Sequence, residues 1–154
     1  MAVQIIKNIE ALQALVGQEV GTSDWVLIDQ KRVNLFADAT DDHQWIHVDT
    51  ERAERESPFG EPVAHGFLTL SLLPRLTSDI MEIRGVTTTV NYGLDKVRFV
   101  AAVAVGSRVR ARQTLKSVEP RGEGRYMLHN TVTIEIEDND KPACIAESLS
   151  LIIF

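Results

Sequence analysis

The chain of 154 residues holds one cysteine, Cys144, and that scarcity excludes two things. No intramolecular disulfide can form, and no thiolate-rich metal site can be built. A reducing compartment suits such a chain. Cys144 lies in the alternating segment ACIAESLSLIIF and is expected to be a packed strand residue, because a free cysteine usually behaves as a small hydrophobe. Positive charge is also short: 16 Lys and Arg stand against 22 Asp and Glu, a net charge of −6. Neutralising a nucleic-acid backbone takes clustered cations, so this balance argues against such a partner. A local basic patch could still hold a phosphate-bearing small molecule. No apolar run is long enough to span a bilayer, and neither internal repeats nor low-complexity tracts are evident. The N-terminal MAVQIIKNIEALQALVG is interrupted by Lys7 and Glu10, while Ile5, Ile6, Ile9, Leu12, Leu15 and Val16 recur at helical spacing. It is expected to form an amphipathic helix ending at Gly17 rather than an export signal, and the chain reads as cytoplasmic.

What is present describes one domain, residues 1–154, of ordinary globular composition, long enough to bury roughly two thirds of its unfolded surface. Asp and His concentrate in the first half. From about residue 86 the pattern turns to strands: VTTTVNYGL is rich in β-branched and aromatic residues, and SRVRARQTLKSVEP sets Arg108, Arg110 and Arg112 opposite Val109 and Ala111. RYMLHNTVTIEIED alternates again, and PRGEG and EDNDKP supply turn chemistry, so an antiparallel meander is expected. Between the halves, HGFLTLSLLPRLTSDI (65–80) is apolar almost all round, which predicts a buried helix kinked or ended at Pro74. A sheet wrapped around that helix makes the fold class α+β.

The chemistry gathers in DATDDHQWIHVD, residues 38–49. His43 and His47 are four apart, as in helical zinc motifs, but Gln44 stands where such a motif places its glutamate base, and no third ligand follows nearby. No metal is expected. Asp42 and His47 are five apart, which on an unbroken helix turns them about 140° from each other. They can converge only across a break in the chain. DQKRVNLFADATDD supplies one: Asp29 is a fair N-cap, Val33, Leu35, Phe36 and Ala39 keep helical intervals, and DDHQW loses the pattern. A carboxylate and an imidazole sharing one water suit acid–base work near neutral pH. The plainer reading makes Asp42 a cap and His47 a satisfied buried histidine, and spacing alone leaves both open. Downstream, His65 and Gly66 open the buried helix, where backbone N–H groups face outward and a side chain of hydrogen lets a carbonyl approach. Tight packing explains Gly66 equally well. Asp38 reads as a helix-surface charge.

Taken together, FADATDDHQWIHVD followed by EPVAHGFLTLSLL resembles the MaoC-like, or (R)-specific enoyl-CoA hydratase, branch of the hot-dog fold, in the subgroup similar to nodulation protein N. With NYGLDKVRF the resemblance covers nearly the whole chain. It implies an antiparallel sheet wrapped around a long central helix, and an enzyme that adds water to a trans-2-enoyl-CoA to give the (3R)-3-hydroxyacyl product. Asp42 and His47 match its catalytic pair, and Gly66 matches the glycine whose N–H holds the thioester oxygen. Gln44 and Trp45 replace the usual Asn-Pro, and Asp41 stands where glycine is frequent. Gln44, Trp45 and His65 are candidate substrate contacts. Lys96 and Arg98 could face CoA phosphates or a solvated strand face, and the Arg108, Arg110 and Arg112 row is expected to be an exposed face. No cofactor is implied, since the CoA thioester is the substrate. A single sheet leaves an edge to cover, so a homodimer is expected. The alternatives are an acyl-CoA thioesterase, disfavoured because the central helix has no acid before Asp79, and a non-catalytic acyl-CoA or lipid-binding protein of the same fold.

Overall fold

The computed structural model describes residues 2–154. The first half contains β1 (Gln4–Ile6), α1 (Ile9–Gln13), β2 (Glu19–Thr22), β3 (Val26–Leu27) and α2 (Gln30–Thr40). Short helices follow as α3 (Trp45–Val48), α4 (Thr50–Glu56), α5 (Gly66–Ser71) and α6 (Leu73–Thr77), and then β4 (Met81–Ile83). The second half is four long strands: β5 (Thr88–Phe99), β6 (Arg108–Pro120), β7 (Arg125–Ile136) and β8 (Cys144–Ile153). The main sheet runs β2-β6-β7-β8-β5, antiparallel throughout, with β3 also paired to β6. Leu68, Leu72, Leu73 and Leu76 of the helical layer pack with Val109, Leu115, Leu128, Val132 and Ile152 from the inner sheet face. This is the expected α+β hot-dog arrangement.

Three sequence expectations are corrected. The long central helix that the resemblance implies is broken beside Pro74, as the sequence itself predicts: α5 stops at Ser71 and α6 starts at Leu73, with Pro74 in its first turn. Proline lacks the N–H that would continue the ladder and clashes with the preceding turn. The helix is not buried on all sides either, because Phe67 is 68% exposed while Leu68 and Leu76 lie inside. The strands do not form a simple meander in chain order. β6, β7 and β8 do, but β5 crosses to the far edge and pairs with β8. At the N-terminus the expected helix is shortened to α1, whose cap is Asn8, its side chain accepting the Ala11 N–H at 2.9 Å. Residues 4–6 instead lie parallel to β4, Gln4 opposite Met81. β-branched Ile5 and Ile6 suit a strand once a partner exists.

Other expectations hold. Asp29 caps α2 by accepting the Arg32 N–H at 2.9 Å. Cys144 is fully buried and burial pushes its thiol up to about 11, so it is a packing residue. The outer arginine row of β6 is answered by acids: Arg108 by Glu137, Arg110 by Glu135 at 2.6 Å, and Arg112 by Glu135 and Glu19. Such partly exposed pairs stabilise modestly and occupy the guanidinium groups. Among the described residues, no helix is long and apolar enough to cross a membrane.

Candidate active site

The site is assembled where α2 ends. Asp41 takes the left-handed conformation, φ 58°, and stops the helix. Aspartate tolerates this region better than most side chains and glycine best of all, which gives a physical reason for a glycine to be frequent there. The chain then turns through residues 42–44 into α3, so the break that Asp42 and His47 require is present. Asp42 is half exposed, and its Oδ1 accepts the Gln44 backbone N–H at 3.3 Å. His47 is 7% exposed. Its carbonyl accepts the Gln30 side-chain N–H from the first turn of α2 at 2.8 Å, which ties α3 to α2.

A second tie fixes the imidazole. Val63 N–H donates to Ile46 O at 3.1 Å, and Ala64 N–H to Val103 O at 2.8 Å, so this segment is clamped between α3 and the chain before β6. The Val63 carbonyl thereby comes to 2.6 Å from His47 Nδ1. A carbonyl can only accept, so Nδ1 carries the proton and neutral His47 has its lone pair on Nε2. Desolvation, the largest influence, together with nearby His65 lowers the His47 pKa, against the opposing Val63 bond and Asp42 charge. The neutral base therefore persists below the ordinary histidine value of 6.5. The acid limb of kcat/KM for any reaction using this base is expected below pH 6.5 in a pH–rate profile. Stability follows the same sign. As pH falls through the ordinary histidine value the unfolded chain takes up a proton before the folded one does, so stability drops until the lower folded value is passed. Chemical denaturation of wild type and His47→Gln across that window checks it, because the variant should lose this component of the slope.

His65 is 2% exposed. Its ring stacks on His47 with centroids 3.9 Å apart and an interplanar angle of 25°, and the Phe36 ring, tilted by 57°, has its centroid 4.9 Å away. Its Nε2–H donates to the Asp42 backbone carbonyl at 3.0 Å. His65 is thus enclosed within this chain, stacked on His47 and bonded to the Asp42 backbone, an arrangement that suits positioning of both. Asp42, His47 and His65 bring ligand-type atoms within 4.8 Å of one another. His65 meets the Asp42 carbonyl as an N–H donor, so that nitrogen offers no lone pair to an ion. The set suits a water held between proton-accepting groups better than a tetrahedral metal.

Other candidates are sorted by the same geometry. Gln44 acts through its backbone, and its side chain makes no cap bond to α3. Trp45 lies under Arg52, whose guanidinium carbon is 4.2 Å from the ring centroid. His43 bonds Asp38 Oδ1 at 2.8 Å, so Asp38 is the exposed helix-surface charge expected, with a histidine as its partner. Gly66 is the first residue of α5, so its N–H has no carbonyl one turn back. A Cβ there would meet three atoms of the Phe99 ring at 3.2 Å, which makes Gly66 a place of close approach. Lys96 and Arg98 pair with Glu147 and Ile145 on the outer sheet face, whereas Phe99, opposite Cys144, faces inward over Gly66. Within one chain the two cations are on a solvated strand face.

The family described as "MaoC like domain" matches residues 11–137. The chain is 54% identical, over 93% of its length and 94% of the relative's, to 3-hydroxyacyl-thioester dehydratase Z of Mycobacterium tuberculosis (strain ATCC 25618 / H37Rv). It is 50% identical to nodulation protein N of Rhizobium leguminosarum bv. viciae, over 90% of this chain and 87% of that one. Among solved structures, a monoamine oxidase regulatory protein from Archaeoglobus fulgius superposes with a TM-score of 0.77 at 19% identity, covering 99% of this chain and 98% of the other. At that identity the likeness speaks for the fold.

Proposed function

The chain belongs to the MaoC-like domain family, and from that premise we propose that it is an (R)-specific enoyl-CoA hydratase, running equally as the 3-hydroxyacyl-thioester dehydratase in reverse. The observation that carries the reading is the enforced His47 tautomer, with Nε2 bare and Asp42 in the same cluster. Asp42 and His47 hold one water and remove its proton as its oxygen attacks C3 of a trans-2-enoyl thioester. The electron pair of the C2=C3 bond shifts to form C1=C2 as the carbonyl pair moves onto the thioester oxygen, giving an enolate that the Gly66 N–H stabilises. The pair then delivers a proton to C2 on the same face, giving syn addition and a (3R)-hydroxyacyl product. Every step uses side chains, a backbone N–H, water and the thioester, so no cofactor is part of the proposal. Hydrolysis of the thioester has less support. The central helical layer offers no acid before Asp79, and Arg75 already holds that carboxylate at 2.7 Å.

The direct test is loss of the enoyl-thioester absorbance with crotonyl-CoA and purified protein. Steady turnover without release of free thiol supports hydration. Thiol release marks a thioesterase, and saturable binding without turnover marks a binding protein.

The protein is proposed to work as a homodimer joined along β5. That strand pairs on one side only, with β8, and exposes Val90, Tyr92 and Leu94 along its 12 residues. A long edge of this kind is a template for another strand, and Phe67 and Phe99 extend its apolar surface. Light scattering is expected to give twice the chain mass at micromolar concentration. The double variant Tyr92→Lys and Leu94→Lys should shift it to a monomer, whereas a wild-type monomer overturns the assignment.

A further inference from the structure

A cavity of about 810 Å³ runs beside the helical layer. It begins at Leu70, one helical turn beyond Gly66, and continues past Leu73 and Pro74 to Thr77. Gly66 itself borders a second, smaller cavity with Thr69 and Phe99, so the two spaces open on successive positions of the same helix. The helical wall presents Leu70, Leu73 and Pro74, and its Ser71, Thr77 and Ser78 hydroxyls donate to helix carbonyls, which leaves that wall to a chain of methylenes. One strip of the sheet is polar. Gln113, Asn130, Ser148 and Ser150 line the cavity from β6, β7 and β8. Asn130 and Ser148 are directly opposed in register, and Gln113 Nε2 donates to Asn130 Oδ1 at 2.8 Å.

This polar strip sits on the inner face of the sheet, where Leu115, Val132 and Ala146 show the ordinary apolar filling. Gln113 is 3% exposed, and its Oε1 is buried with no protein partner among the described residues. An unpaired amide oxygen in an apolar interior is unfavourable, and most buried polar atoms are paired. Packing alone would be better served by Leu or Met at this position. The unused oxygen belongs to a side chain lining a space large enough for a ligand, and the nearby serine hydroxyls can both donate and accept.

We propose that the cavity is the site for an oxygenated acyl chain, one that carries a hydroxyl partway along and sets it between Gln113 and the serines of β8. The substrate class is thus a hydroxylated enoyl thioester rather than a plain hydrocarbon one. The inference rests on the hydratase reading for the chemistry at the thioester, but the binding claim stands on the cavity itself. A site built to pair a hydroxyl discriminates against the chain that lacks it, because its polar groups are then left with water or nothing.

The test measures Kd by titration calorimetry for dodecanoyl-CoA and for dodecanoyl-CoA bearing a mid-chain hydroxyl. Both are saturated, so no turnover is needed. The hydroxylated chain is expected to bind about tenfold more tightly to the wild type, the size of one net hydrogen bond. Gln113→Met, which keeps length and removes the amide, should abolish that preference, and Ser148→Ala should weaken it. Equal or tighter binding of the plain chain by the wild type overturns the proposal, as does a preference that survives both variants. If Gln113→Met does not fold, the wild-type comparison and Ser148→Ala decide. Crotonyl-CoA hydration, measured in parallel, reports separately on the hydratase reading, since a four-carbon chain is too short to need the strip.

Discussion

Asp42→Asn and His47→Gln are each expected to lower kcat/KM for crotonyl-CoA hydration by at least about 10²-fold, the usual cost of losing a positioned general acid or base. The two variants fail for different reasons, and the difference can be measured. The amide that replaces the Asp42 carboxylate keeps an oxygen for the Gln44 N–H, and this side chain is half exposed, so the loop and the melting temperature should be unchanged. What is lost is the negative charge that holds the water and supports protonated His47. His47→Gln removes a ring that donates to Val63 O and stacks on His65, both in the interior. A buried carbonyl left short of its partner costs about 1–3 kcal/mol, so this variant should also melt lower. Loss of activity in Asp42→Asn with unchanged melting is the informative arm, since a folding defect cannot produce it. Retention of near-wild-type hydration by both variants would remove the pair from the mechanism.

The parts of this site that could be read in the sequence are those governed by near neighbours. Asp29 as a cap, the end of α2 before Asp42, and the alternating faces of β6 and β7 all follow from side chains a few positions apart. Pro74 announced the break in the central helix for the same reason. What could not be read depends on distant chain. The parallel pairing of β1 with β4 joins Gln4 to Met81 across half the sequence, and local helical spacing outweighed it. β5 lies at the far edge, and its connection to β6 is engaged with Ala64 and Val63, a contact with no local signature. The stacking of His65 on His47 is of the same kind. His65 was visible as a histidine at a helix start, but its burial against Phe36, which suits it to positioning, arises only when α2, α3 and α5 meet.

The departures from the family pattern at residues 41, 44 and 45 also become intelligible as backbone matters. The position before Asp42 needs a left-handed residue, and Asp41 supplies one at modest cost. The position two after it needs a backbone N–H aimed at the carboxylate, which Gln44 provides whatever its side chain. Trp45 directs its bulk to Arg52. The three substitutions therefore leave the Asp42–His47 geometry standing. The Asp38–His43 pair beside them has the same local character, since it joins the last turn of α2 to the loop that follows and steadies the exit from the helix.

Gly66→Pro is expected to lower kcat by about 10²- to 10³-fold, the effect of removing one oxyanion donor, while Gly66→Ala keeps most of the activity. The comparison works because proline is favoured in the first position of a helix, where its missing N–H breaks no intrahelical bond. The preceding residue must be extended, and His65 already is, with φ −60° and ψ 138°. Both variants add a Cβ that meets the Phe99 ring at 3.2 Å. That ring is 46% exposed and can give by a few tenths of an ångström, so the steric cost is shared by the two variants. Their ratio therefore isolates the N–H itself. Turnover of crotonyl-CoA and melting temperature, measured side by side, decide the matter. If Pro and Ala lower kcat equally at similar stability, the Gly66 N–H does not carry the enolate, and the glycine serves only the close approach of Phe99.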